Sequence, residues 1–149
     1  MRSRWASALL GWAALAAPAS AQQARELGVQ AVGTASDPAL VAAGLYGAWR
    51  TSTRARVSAG LAAGVMDGDA AWRGELLVHF LLTPRARRGV GWYGAGGIAA
   101  VGGAVDEGYL VLTLGAETRP GSRSGWFLEA GVGGGARLAA GFRRRWFGR

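Results

Sequence analysis

From Glu26 onward, apolar positions alternate with small or polar ones in segments of about ten residues, and turn formers or charges separate the segments. This pattern predicts eight strands, over residues 26–34, 40–50, 54–66, 71–83, 90–101, 108–119, 125–133 and 137–147. The connectors carry the residues that turns require: Ser36-Asp37-Pro38, Asp67-Gly68-Asp69, Pro120-Gly121-Ser122 and Gly133-Gly134-Gly135. In the third segment Val57, Ala59, Leu61, Ala63 and Val65 share one face, and Arg56, Ser58, Gly60 and Gly64 share the other. In the fourth, Trp72, Leu76, Val78, Phe80 and Leu82 oppose Arg73, Glu75, His79 and Thr83. The sixth and eighth segments repeat the division. There Leu110, Leu112 and Leu114 oppose Tyr109, Thr113 and Glu117, and Leu138, Ala140 and Phe142 oppose Arg137, Arg143 and Arg145.

An all-β chain with eight such strands and short connectors predicts an eight-stranded antiparallel up-and-down β-barrel. A soluble barrel turns its apolar face inward, and a transmembrane barrel inverts that arrangement. Here the charged face is rich in Gly and Ala, which suits the narrow interior of an eight-stranded barrel. The opposite face carries Leu, Val, Phe or Ala in nearly every segment, as a lipid-facing band requires. The expectation is therefore a transmembrane barrel over residues 22–149. A helical rival exists at residues 89–105, an uncharged run with the small-residue spacing Gly91, Ala95 and Ala99. That run is shorter than a spanning helix needs.

Aromatics and charges sort along the predicted strands. With the N-terminus on the periplasmic side, Trp49, Trp92, Tyr93, Trp126, Phe127, Trp146 and Phe147 fall at one rim, and Trp72 and Tyr109 at the other. They are expected to form two membrane-interface girdles, where amphipathic rings settle. Asp37, Asp67, Asp69, Asp106 and Glu107 lie in loops at the outer end, and Arg50, Arg54, Arg85, Arg87, Arg88, Arg119, Arg123 and Arg145 lie at the periplasmic end.

The residues before the first strand are of another kind. Arg2 and Arg4 precede a short apolar run ending in Pro18-Ala19-Ser20-Ala21, the pattern of a signal peptide over residues 1–21 cleaved after Ala21. The chain has no cysteine, so stability after export must come from strand pairing and packing rather than disulfides. The net charge of +8 and pI near 11.5 raise the question of nucleic acid. The arginines, however, stand singly at segment ends and no nucleic-acid-binding motif accompanies them, so no such partner is expected.

The chain resembles the small outer-membrane β-barrel family of Gram-negative bacteria, which includes OmpA-like and OmpX-like barrels. The resemblance runs over essentially all of residues 22–149. It is carried by Gly91-Trp92-Tyr93-Gly94-Ala95-Gly96-Gly97, by Tyr109-Leu110-Val111-Leu112-Thr113-Leu114-Gly115-Ala116-Glu117 and by Trp126-Phe127-Leu128-Glu129-Ala130-Gly131-Val132-Gly133. It implies residence in the cell outer membrane as a monomer, with outer-membrane lipid and the barrel-insertion machinery as partners. There are two departures. Phe147 is followed by Gly148-Arg149, whereas the family usually ends on an aromatic residue, and the outer loops are very short.

By parity Glu26, Arg56, Arg73, Glu75, His79, Glu117, Glu129, Arg137, Arg143 and Arg145 point into the lumen. A buried charge without a partner costs several kcal/mol, so an internal network of mutually compensated charges that plugs the barrel is expected. Glu26 is expected near Arg143 or Arg145, because the first and last strands meet at closure. His79, the single histidine, is read as structural, and Asp67-x-Asp69 as turn formers rather than a cation loop. With no nucleophile elbow or Ser-His-Asp order, neither enzymatic activity nor a metal or cofactor is expected. The function this supports is a structural, envelope-maintenance role. The alternatives are a soluble periplasmic or secreted barrel holding an apolar ligand, and a minimal ion or solute channel.

Overall fold

The computed structural model describes residues 24–147; the expected signal peptide and Gly148-Arg149 lie outside the described residues. Eight strands follow one another: β1 (Ala24–Ala35), β2 (Leu40–Arg50), β3 (Ala55–Met66), β4 (Asp69–Leu81), β5 (Val90–Gly102), β6 (Glu107–Thr118), β7 (Ser124–Val132) and β8 (Ala136–Phe147). Each pairs antiparallel with its sequence neighbour, and β1 pairs with β8 from Ala24↔Phe147 to Ala35↔Ala136, which closes the barrel. Closure removes both sheet edges, so every strand has two partners. The fold class is the one the alternation predicts. The rival helix over 89–105 is instead strand β5 and the turn after it.

Strand bounds differ from the sequence reading by no more than two residues, and the largest shift, at β4, has a local cause. Asp67 and Gly68 both take positive φ, at 51° and 90°, as a two-residue type I′ turn requires. The tight turn lets Asp69 pair with Met66 at once, two residues earlier than expected. At the other end of β4, Leu82 N and Thr83 N both bond the Trp92 carbonyl at 2.8 and 3.3 Å, so the chain leaves the ladder at Leu81.

Inward positions are even-numbered in β1–β3 and odd-numbered in β4–β8, the parity changing across the Asp67-Gly68 turn. The outer wall is apolar: Leu45, Leu61, Phe80, Leu110, Leu112 and Leu138 are all more than 60% exposed. The alternative of an apolar-ligand cavity is thereby corrected, because the Leu/Val/Phe face it needed inside lies on the exterior.

The interior also departs from the expectation of a uniformly small and polar lumen. At the end away from the termini, Val32, Leu40, Met66 and Val101 form a buried apolar cluster against which Val105 and Tyr109 pack. Farther down, Leu77 packs with Ala95, Ala99 and Val111. An eight-stranded interior is narrow enough for side chains to fill; the first cluster fills it above the charges, and Leu77, between Glu75 and His79 on β4, fills it among them.

Closing so narrow a barrel brings backbones close at a few inward glycines. A Cβ on Gly64 would stand 1.9 Å from the Val41 carbonyl oxygen, and one on Gly131 would stand 2.0 Å from that of Leu112. Only glycine permits this approach without moving a neighbouring strand. Gly64→Ala is expected to lower stability by about 1–3 kcal/mol, the usual cost of overpacking, read as a lower urea midpoint of tryptophan fluorescence.

Candidate functional site

The inward parity of six strands delivers charged side chains to the lumen, where they gather into two groups at different heights. The lower group, toward the termini, is built on Glu26 of β1 and Glu117 of β6. Arg145 reaches Glu26 with Nε at 2.7 Å and Nη2 at 2.5 Å, and Arg56 Nη1 lies 3.2 Å from the same carboxylate. Arg143 Nη1 stands 3.5 Å from Glu26, and its Nη2 3.3 Å from Glu117. Arg56 Nη1 bridges to Glu117 at 3.1 Å. Two carboxylates thus share three guanidiniums; of the remaining donors, Arg143 Nη2 also reaches Thr118 O, Arg145 Nη1 donates to Pro120 O, and Arg56 Nε and Arg143 Nε have no partner among the described residues.

The upper group is balanced, with two carboxylates and two guanidiniums. Arg137 grips Glu75 with Nε at 2.9 Å and Nη2 at 2.7 Å, a two-pronged contact that fixes both oxygens. Its Nη1 donates to Glu129 at 2.9 Å. Arg73 donates from Nε to Glu75 at 2.6 Å and from Nη2 to Gly133 O at 3.0 Å. Tyr93 joins the groups: its hydroxyl donates to Glu129 at 3.0 Å, and the Arg56 guanidinium lies 4.9 Å over its ring. The ten charged and histidine side chains named from the sequence are all buried here, and Glu26 meets both Arg143 and Arg145 rather than one of them.

Four aromatics assigned to the girdle lie elsewhere. Tyr93 is fully buried in the lumen, and Phe127 packs edge-on against Tyr46 at 5.1 Å inside the wall. Both occupy odd, inward positions of their strands. Nearness to a strand end suggested the rim, but parity decides which side of the wall a ring occupies. Tyr109 is likewise on the inward parity and packs on the apolar cluster at the far end, and Phe147 lines the mouth by the termini. The five tryptophans Trp49, Trp72, Trp92, Trp126 and Trp146 do project from the outer wall.

The sequence reading saw no nucleophile–base pair, and the structure brings one together. Ser58 Oγ lies 2.7 Å from His79 Nε2, and Arg56 Nη2 lies 3.2 Å from Nδ1. A guanidinium can only donate, so Nδ1 accepts and the ring proton sits on Nε2, donating to Ser58. That tautomer cannot take a proton from serine, and an arginine stands where a working triad has a carboxylate. The cavity beside the pair is about 20 Å³, room for one water and no substrate. Both ring nitrogens of His79 are committed within the wall. Ser58 and Tyr46, missed from the sequence, were marked there only by their inward parity.

Tyr93→Phe removes the donor on Glu129 and leaves that carboxylate only Arg137. The expected cost is about 1–2 kcal/mol by urea unfolding, the scale of a buried hydrogen bond to a charged acceptor.

A closed antiparallel wall, apolar outside and charged within, defines a class: the eight-stranded barrel of inverted polarity. The chain is similar in structure to the N-terminal β-barrel domain of Pseudomonas aeruginosa OprF, with a TM-score of 0.64 and 10% identity, over 84% of this chain and 100% of that one. The likeness is one of fold. No family model matches the chain, and no curated protein matches its sequence.

Proposed function

We propose that the protein is a non-enzymatic barrel of a bacterial outer membrane whose role is structural, its lumen plugged by the two charge groups. The observation that carries this reading is the inverted polarity. Among the described residues, twenty-three large apolar side chains stand exposed around the wall while Glu26, Arg73, Arg137 and Arg143 are almost wholly buried. Contiguous apolar surface on that scale has no place on a water-soluble monomer, where the largest patches are about 300–600 Å². The tryptophans at the wall's edges are suited to the headgroup level, four at the end with the termini and Trp72 at the other. The likeness to an outer-membrane protein's barrel domain supports the same location.

The plug has a physical basis in the packing. A central void with room for one water, and guanidiniums tied to carboxylates from both sides, support a blocked lumen. The minimal-channel alternative needs an open aqueous path. A protein with these properties migrates faster on a gel unboiled than boiled, sediments with outer membranes and gives no conductance in planar bilayers. Solubility of the mature chain without detergent would overturn the membrane reading, and steady unit conductance would overturn the plug.

A further inference from the structure

The two ends of the barrel are unlike. At the end away from the termini the loops close over the apolar cluster and leave a pocket of about 60 Å³. At the end with the termini, a mouth of about 720 Å³ opens down to the lower charge group. Arg50, Arg85, Arg87 and Arg145 line it, with Leu81 and Phe147 on its apolar side. One carboxylate, Glu117, also reaches it, and that carboxylate already faces Arg56 and Arg143.

Charge at this mouth is unbalanced from within. The lower group holds three guanidiniums against two carboxylates, and Arg50 adds a fourth. Arg50 makes no ion pair among the described residues, and its buried Nε has no hydrogen-bond partner among them. An excess cation behind a low-dielectric wall attracts an anion far more strongly than one in open water.

The mouth is also held in shape. The loop between β4 and β5, which carries Arg85 and Arg87, is tied to the loop between β6 and β7. Gly121 N donates to Arg87 O at 3.2 Å, and Arg119 N to Gly89 O at 2.9 Å. Backbone bonds on both sides of Arg87 fix where its side chain starts. The exposed carboxylates Asp37, Asp67, Asp69, Asp106 and Glu107 all lie at or beside the loops of the opposite end. The field along the barrel axis therefore draws anions to the arginine end and repels them from the other.

We propose that this mouth is a binding site for a phosphate group, held between Arg50, Arg85 and Arg87, with the buried Arg145 behind them. Guanidinium forks match tetrahedral phosphate oxygens, and a charge of −1 to −2 offsets the local excess. The mouth is larger than a phosphate ion, and Leu81 and Phe147 give it an apolar flank for the remainder of an ester. The phosphate is either free or the headgroup of an anionic lipid. The site goes beyond the structural role, and it is formed whether the wall meets lipid or detergent.

The test uses the folded protein in nonionic detergent, titrated calorimetrically with inorganic phosphate at ionic strength held constant by chloride. In parallel, urea midpoints are compared in nanodiscs of phosphatidylcholine with and without phosphatidylglycerol. Saturable phosphate binding, weakened about tenfold or more by Arg50→Gln/Arg87→Gln and unchanged by Arg123→Gln outside the mouth, supports a site for free phosphate. A raised midpoint in phosphatidylglycerol discs alone, lost in the same double variant, supports a lipid headgroup. Heat-modifiable migration of each variant shows that it has folded, and Arg87→Gln alone serves should the double variant fail to fold. Phosphate indistinguishable from chloride together with no phosphatidylglycerol effect overturns the site. An equal loss in Arg123→Gln overturns it too, as general surface charge. Insolubility in detergent or solubility without it bears on the membrane reading and leaves these outcomes distinct.

Discussion

Glu26→Ala is expected to destabilise the barrel by about 3–5 kcal/mol, the cost of removing one partner from a buried ion cluster. Glu26 is buried and lies within 3.5 Å of Arg56, Arg143 and Arg145. Without it, three guanidiniums share Glu117 alone, and Arg145 then has its nearest carboxylate contact at 3.9 Å. The loss comes less from missing attraction than from cations left desolvated and crowded together. Removing one of those cations should therefore restore stability: Glu26→Ala/Arg145→Leu is expected to recover at least half of the loss. Urea unfolding followed by tryptophan fluorescence in phosphatidylcholine vesicles measures both. A loss below about 1 kcal/mol would mean that water reaches the lower group and screens it, as at an exposed pair.

On the outer wall the second large effect is expected at Leu112, which is 65% exposed near the middle of β6. Leu112→Arg should cost about 2–4 kcal/mol in vesicles if the wall faces hydrocarbon, and within about 0.5 kcal/mol if it faces water. The same change at Trp126, at the start of β7, should cost less, because an arginine there reaches the headgroups. Depth dependence separates a bilayer from general intolerance of charge. Equal small effects at both positions would place the wall in water and remove the ground for an outer-membrane role.

These two substitutions also mark what can be read from a sequence of this kind. Leu112 was assigned to the apolar face from alternation alone, as were Leu61, Phe80 and Leu138, because the period of a strand is local and each residue's side follows from its neighbours. Turn chemistry is equally local: Asp67-Gly68-Asp69 marked a turn, and only the structure, with Asp67 and Gly68 both at positive φ, fixed its length at two residues. Strand number, order and antiparallel pairing followed from these signals. Tyr93 and Phe127 carried the same parity information, but position near a strand end was given more weight than side of the wall.

Composition and parity could place Glu26, Glu117 and five arginines in one lumen. Beyond the expected meeting of Glu26 with Arg143 or Arg145 at closure, they could not place them at one height. Glu26 and Arg145 are separated by 119 positions in the chain and meet because β1 and β8 pair at closure, in a register that sets them opposite one another. Glu75 and Arg137 meet across the barrel, 62 positions apart. Parity fixes a face, whereas the stagger between strands fixes depth, and stagger is a property of the closed barrel as a whole. Hence the sequence by itself determined the eight strands, their faces and the inward charges. Only the tertiary structure decided that those charges divide into a balanced upper group and a cationic lower one, that Ser58 meets His79 in an idle tautomer, and that a single end of the barrel is open.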